Sequence, residues 1–120
     1  MHHQELSETI IGAGMQVLNT LKPGLNEKAY ENALAIELGK RGCRIEQQTR
    51  FEVRYDGVVV DTLVPDLIVN EVVIVDPKVV EEFSQTHLAQ MIGYLAVTEL
   101  KLAILLNFKF SDLRWKRVVR

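Results

Sequence analysis

The stretch Val58-Val59-Val60-Asp61-Thr62-Leu63-Val64-Pro65-Asp66-Leu67-Ile68-Val69, followed after Asn70-Glu71 by Val72-Val73-Ile74-Val75-Asp76-Pro77-Lys78-Val79-Val80, decides how this chain is read. Its runs of β-branched residues predict two strands, and Asn70-Glu71 predicts the tight turn of a hairpin between them. Acids do not sit among valines without a reason. Residues two apart on a strand share a face, so Asp76 and Lys78 project together, and antiparallel pairing brings Asp66 beside them. A buried carboxylate without a partner costs roughly several kcal/mol, so these strands must offer it a cation or a hydrogen-bond donor.

Hard oxygen ligands of this kind suit Mg²⁺ or Mn²⁺, which keep several waters and meet substrate phosphates directly. A cation on Asp66 and Asp76 would polarise a phosphate oxygen and acidify a water, with Lys78 orienting that water or stabilising developing charge. The stretch therefore points to metal-dependent phosphodiester hydrolysis. The competing reading of the same residues is a strand-end aspartate in a turn or a surface salt bridge. Pro77 removes a backbone donor from what reads as an interior strand, so an edge position or a bulge that re-aims Asp76 or Lys78 is expected there.

Outward from this hairpin, further motifs appear in order. Thr86 to Leu95 has helical periodicity and puts Gln90 and Tyr94, four apart, on one face, with His87 a turn earlier. A histidine there is either a ligand or, more commonly, a hydrogen-bonded structural residue. Upstream, Gly24-Leu25-Asn26-Glu27-Lys28-Ala29-Tyr30 opens a helix, with Glu27 in its first turn.

The succession Gly24-x-x-Glu27-x-x-Tyr30, Pro65-Asp66, Asp76-x-Lys78, Gln90-x-x-x-Tyr94 resembles the GxxExxY proteins, small prokaryotic members of the PD-(D/E)xK nuclease superfamily near its RecB-like branch. The resemblance runs from about Ile10 to Arg120. It implies an α/β restriction-endonuclease-like core of order αβββαβ, a mixed central sheet flanked by helices. It also implies that Asp66 and Asp76 bind Mg²⁺ or Mn²⁺, that Glu27 is a further metal ligand or positioning acid, and that Lys78 serves the attacking water. Gln90 and Tyr94 would line the site, with Tyr30 and His87 supporting it. Asp76 stands where glutamate is commoner, and its shorter arm would draw a metal closer to the strand.

The remaining sequence is consistent with one domain over 1–120. The chain is 48% hydrophobic over 120 residues, enough for a core. A single cysteine, Cys43, excludes an internal disulfide and points to a reducing compartment. Met1-His2-His3-Gln4-Glu5 lacks the basic start of a signal peptide, and the apolar run Ile10 to Met15 is too short to span a membrane, so a cytoplasmic protein with no membrane partner is expected. No metal site is assigned to His2 and His3. Leu6 to Leu21 and Leu25 to Lys40 read as helices broken by Lys22-Pro23-Gly24, with Gly42 as the second stop. Cys43 to Tyr55 reads as a strand turning at Asp56-Gly57, Leu102 to Phe108 as a strand buried on both faces, and Leu113 to Val119 as an edge strand.

A formal net charge of −2 argues against an avid nucleic-acid binder. Arg114, Lys116 and Arg117, with Arg120 and Lys109 nearby, are the candidates for phosphate contact; their competing reading is edge-strand protection against aggregation. DNA or RNA is the expected partner, and a small nuclease without an extension is expected to grip a duplex as a homodimer or higher homo-oligomer. The alternative is a catalytically inactive nuclease-fold module for binding or assembly. A dedicated metal-binding protein using Glu27, Asp66, Asp76 and His87 is a third reading.

Overall fold

The computed structural model describes residues 3–120, so His2 lies outside the described residues. Ten elements follow in order: α1 (His3–Leu21), α2 (Glu27–Lys40), β1 (Ile45–Gln47), β2 (Phe51–Tyr55), β3 (Val58–Leu63), β4 (Leu67–Val69), β5 (Val73–Lys78), α3 (Gln85–Thr98), β6 (Leu102–Asn107) and β7 (Arg114–Val119). Five of the strands form a mixed sheet of order β1-β4-β5-β6-β7, and β2 and β3 form a separate ribbon. Only β5 and β6 run parallel, and α3 is the crossover between them that parallel neighbours require.

The two faces of the sheet are covered by different helices, and residue parity decides which. Leu67, Val69, Val73, Val75, Ile104 and Leu106 pack with Leu6, Ile10, Leu34 and Leu38 from α1 and α2. The alternate residues Ile68, Ile74, Ala103 and Leu105 pack with Met91 and Leu95 from α3. By the same alternation Asp66, Asp76 and Lys78 belong to the α3 face. This is the restriction-endonuclease-like α/β arrangement expected from the sequence, with α1, the ribbon and β7 added to it.

Both helix breaks form as expected. Lys22 takes left-handed backbone (φ 66°) and its N–H bonds the Leu18 carbonyl at 2.8 Å, ending α1. Gly42 (φ 86°) closes α2, with the Cys43 N–H reaching back to the Leu38 carbonyl at 3.0 Å, the longer bond of a Schellman turn.

The expected strands 43–55 and 58–69 do form one antiparallel hairpin, turned at Asp56 and Gly57 (φ 51° and 77°), but its ladder is interrupted. Ile45 pairs with Val69 and Phe51 with Leu63, so six steps along one strand match six steps back along the other and the register carries across the gap as far as Val53, after which it shifts by one residue. Between them Gln48 adopts φ 59° and Pro65 offers no donor, and the ladder breaks. The inner halves, β1 and β4, join the sheet. The outer halves project as the ribbon, where Tyr55, Val58 and Val60 are more than half exposed.

Candidate active site

The site lies where the β4–β5 pairing stops. Its last pair is Leu67 with Val75, so one further step sets Asp66 against Asp76 and a second sets Pro65 against Pro77. The Lys78 carbonyl accepts from the Phe108 N–H at 2.9 Å, which shows that Lys78 turns its backbone groups toward β6. Alternation then turns those of Pro77 toward β4. Pro65 and Pro77 thus occupy a position where two residues would exchange both N–H bonds, and neither has an N–H. Two prolines end the ladder and leave two facing aspartates at its open end. Of the two settings expected for Pro77, the structure has the edge and not the bulge: β5 stays in register with β6 from Val73 to Lys78. Its missing donor faces the side on which no strand remains.

Asp76 is only 4% exposed, and its Oδ1 has no hydrogen-bond partner among the described residues. Its Oδ2 is 3.4 Å from Lys78 Nζ. Burial is the main force raising the Asp76 carboxyl from the ordinary 3.8 to about 7; the neighbouring Asp66 adds to it, and Lys78 pulls the other way. A buried carboxylate with an orphaned oxygen, pressed against a second carboxylate, fits a hard divalent cation in its donor chemistry and in its unmet charge. Among the described residues, no three of His, Cys, Asp and Glu converge as a ligand group. Two carboxylates would leave most positions around a cation to water and phosphate.

Above the acids stands α3. Tyr94 Oη accepts a hydrogen bond from Gln90 Nε2 at 3.3 Å. Burial raises the phenol above its ordinary value, and the charges of Asp76 and Asp66 raise it further, against the pull of Lys78 and of the Gln90 bond. Tyr94 thus feels the charge of both aspartates. His87 has a different job: it completes a capping box in which its N–H donates to Ser84 Oγ at 3.2 Å and its Nδ1 accepts from the Ser84 N–H at 3.0 Å. The ring is a helix cap.

On α2, the acid linked to Asp66 is not the Glu27 expected from the sequence but Glu31, through Gln48. Glu27 is exposed in the first turn and does not join Asp66 and Asp76 as a ligand group. Glu31, one turn later, is 4% exposed because it falls on the stripe that buries Tyr30, Leu34 and Leu38. Tyr30 does not line the site either. Its hydroxyl donates to the Lys22 carbonyl at 2.7 Å and accepts from the Leu25 N–H at 3.2 Å, pinning the α1–α2 loop. Its ring stacks on Phe108, with centroids 4.6 Å apart, and so props the residue that holds the Lys78 carbonyl.

The basic residues of β7 divide between the faces. Lys116 pairs with Leu105 and Arg114 with Asn107, which themselves pair with Asp76 and Lys78, so both lie on the α3 face two strands, about 10 Å, from the site. Leu105 and Asn107 are buried and stand between them and the acids. Arg114 is also engaged locally, over the Phe110 ring at 4.1 Å and 3.5 Å from Asp112. Arg117 pairs with Ile104 and belongs to the opposite face.

Besides Glu31, three residues at the site escaped the sequence reading. Gln48 bonds Asp66, Gln47 bonds Glu31, and Asn107 brackets Val80 just after Lys78 by accepting from its N–H at 3.2 Å and donating to its carbonyl at 2.8 Å. The available signals were an asparagine closing an otherwise apolar strand and a glutamate inside the apolar stripe of α2. Gln48 carries no such signal.

Among the described residues, no helix is long and apolar enough to cross a membrane. No curated protein and no solved structure matches the chain. A family model described as the PD-(D/E)XK nuclease superfamily matches residues 4–118. That span contains the open ladder, its paired aspartates and Lys78, and with nearly all of the chain matched, the chain belongs to the PD-(D/E)XK nuclease superfamily.

Proposed function

We propose that this protein is a nuclease of the GxxExxY type that hydrolyses phosphodiester bonds in DNA or RNA with Mg²⁺ or Mn²⁺ held by Asp66 and Asp76. The observation that carries the reading is the buried Asp76, with Oδ1 unpartnered and Lys78 Nζ 3.4 Å from Oδ2. When bound, such a cation supplies Lewis acidity to a phosphate oxygen and lowers the pKa of a water. The chain does the rest. Asp66 and Asp76 hold their oxygens at the end of a rigid ladder, while Lys78, on the same face as Asp76, orients the attacking water and meets charge developing on phosphate. Tyr94 keeps its proton and, with Gln90 already donating to its oxygen, directs its own O–H toward a phosphate oxygen or water. Glu27 is left outside this constellation.

Two wider expectations go with the reading. Nucleic acid is the partner the superfamily implies, and a homodimer is proposed as the state that grips a duplex, supported by the exposed Tyr55, Val58 and Val60 of the ribbon. The second reading is an idle nuclease scaffold serving binding or assembly, favoured by the lack of a third convergent ligand. The deciding experiment offers single- and double-stranded DNA and RNA with Mg²⁺ or Mn²⁺ to the protein and to Asp76→Ala and Lys78→Ala. Metal-dependent cutting lost in both variants establishes the nuclease; no cutting by the unaltered protein, with oligomerisation indifferent to both changes, establishes the scaffold.

A further inference from the structure

We infer that Gln48 is the positioning residue of this site: it clamps Asp66 so that one carboxylate oxygen, Oδ2, is favoured to meet a cation. The inference rests on the metal-dependent reading above. Gln48 follows β1 directly, and its backbone N–H donates to the Asp66 carbonyl at 3.0 Å, continuing the β1–β4 register by one step. Its side-chain Nε2 donates to Asp66 Oδ1 at 3.1 Å. One residue therefore holds both the backbone and the side chain of Asp66.

The orientation of that amide is set from the other side. Nε2 also donates to Glu31, at 3.1 Å to Oε1 and 3.0 Å to Oε2. Flipping the amide would point its oxygen at two carboxylates, so Glu31 and Asp66 together fix which end faces them. Glu31 is itself anchored by Gln47 Nε2 at 2.7 Å and Lys28 Nζ at 3.3 Å, and Gln47 Nε2 further bonds Asn32 Oδ1 at 2.7 Å. The buried acid of α2 thus acts on Asp66 through Gln48. Gln48 reaches this place only by adopting φ 59°, a conformation unfavourable for a residue with a long side chain, which the hydrogen bonds on both sides of its amide offset.

The consequence concerns metal choice. With Oδ1 engaged by an amide, chelation of a cation through both Asp66 oxygens would compete with that bond, so the clamp favours binding through Oδ2. Mg²⁺ and Mn²⁺ accept such a ligand in compact octahedral geometry, whereas Ca²⁺ favours larger coordination numbers and two-oxygen carboxylates. Gln48 therefore tilts the site toward the smaller ions.

Mn²⁺ and Ca²⁺ affinities, measured by calorimetry without substrate, test this. Gln48→Met keeps the length and removes the donor; Mn²⁺ binding is expected to weaken about 10- to 100-fold, the range for lost outer-shell partners. Ca²⁺ binding falls less, so the preference for Mn²⁺ narrows. Gln48→Asn, which tolerates left-handed backbone but is too short to span both carboxylates, is expected to show the same pattern and serves if Gln48→Met does not fold. In an Asp66→Ala background Gln48→Met adds no further loss, because its action runs through Asp66. Unchanged Mn²⁺ affinity in a folded Gln48 variant overturns the inference, as does an equal loss with and without Asp66. Failure of the unaltered protein to bind Mn²⁺, with Asp76→Ala indistinguishable from it, removes the metal-site reading and this inference with it.

Discussion

The two halves of β5 differ in one respect that creates the site. Val73, Ile74 and Val75 are paired on both sides, with β4 and β6, and are completely buried. Asp76, Pro77 and Lys78 keep β6 but have lost β4. The first half gains from burial and from saturated backbone bonds; the second exposes an edge inside the molecule, and the groups gathered there are charged. An active site of this kind needs no separate loop. It needs a ladder that ends early beside one that does not.

The sharpest way to break that contrast is to remove the charge at the open end. Asp76→Ala is expected to reduce any cleavage by at least about 100-fold, since a ligand should matter no less than its outer-shell partners do. The same residue also carries a pH signature in metal-free protein. Its carboxyl holds a proton up to about 7 when folded and releases it near 3.8 when unfolded, so the folded state binds more protons between those values. Stability therefore falls as pH rises from about 4 to about 7 and levels off above, by an amount on the order of a few kcal/mol. Denaturant titrations in EDTA across that window should show the slope in the unaltered protein and a flatter curve in Asp76→Asn. Excess Mn²⁺ should restore stability above pH 7 by binding only the folded site. Parallel curves for the two proteins would mean that Asp76 is not held in the low-dielectric setting described.

This contrast was partly legible in the sequence. The valine runs, the Asn70-Glu71 turn and the buried strand at Leu102–Asn107 follow from period and turn chemistry, which act locally. The order of motifs was enough to bring Asp66, Asp76, Lys78, Gln90 and Tyr94 under consideration together. What escaped was set by long-range register. Pro65 read as half of a motif with Asp66 and Pro77 as an interruption of a strand, and only their pairing shows that they end a ladder together. Glu27 and Glu31 lie one helical turn apart, and the choice between them depends on where α2 meets β1. Gln48 sits in a strand-like run, and its left-handed backbone is imposed by contacts from Glu31 and Asp66, which no local propensity encodes.

A pair of tyrosines sharpens the contrast at smaller scale. Tyr30 supports the β6 side through Phe108 and pins a loop, whereas Tyr94 stands over the acids. Tyr30→Phe removes a buried hydroxyl with two partners and should cost about 1–2 kcal/mol of stability with catalysis within about twofold. Tyr94→Phe should do the opposite, lowering turnover about 10-fold or more while stability moves by less than about 0.5 kcal/mol. Thermal melts and single-turnover assays on both variants separate the roles, and a stability loss confined to Tyr94→Phe would reverse the assignment.

The smallest effect concerns the prolines themselves. Replacing both, as Pro65→Val with Pro77→Val, supplies two N–H groups at a position where they would bond the opposite carbonyls, each bond contributing about 0.5–1.5 kcal/mol. Losing each proline also frees the unfolded chain, at a cost of about 0.4–1 kcal/mol apiece. These nearly cancel, so stability should shift by no more than about 1 kcal/mol and is the wrong observable. Hydrogen exchange at the two new amides reports whether the ladder has extended, and Mn²⁺ affinity reports what extension does to the aspartates. Protected amides with Mn²⁺ binding weakened several-fold are expected, because a closed ladder holds Asp66 and Asp76 as an ordinary cross-strand pair whose backbones can no longer spread around an ion. Protected amides with unchanged affinity would show that the site tolerates a closed ladder, and that the prolines end the pairing without shaping the chemistry.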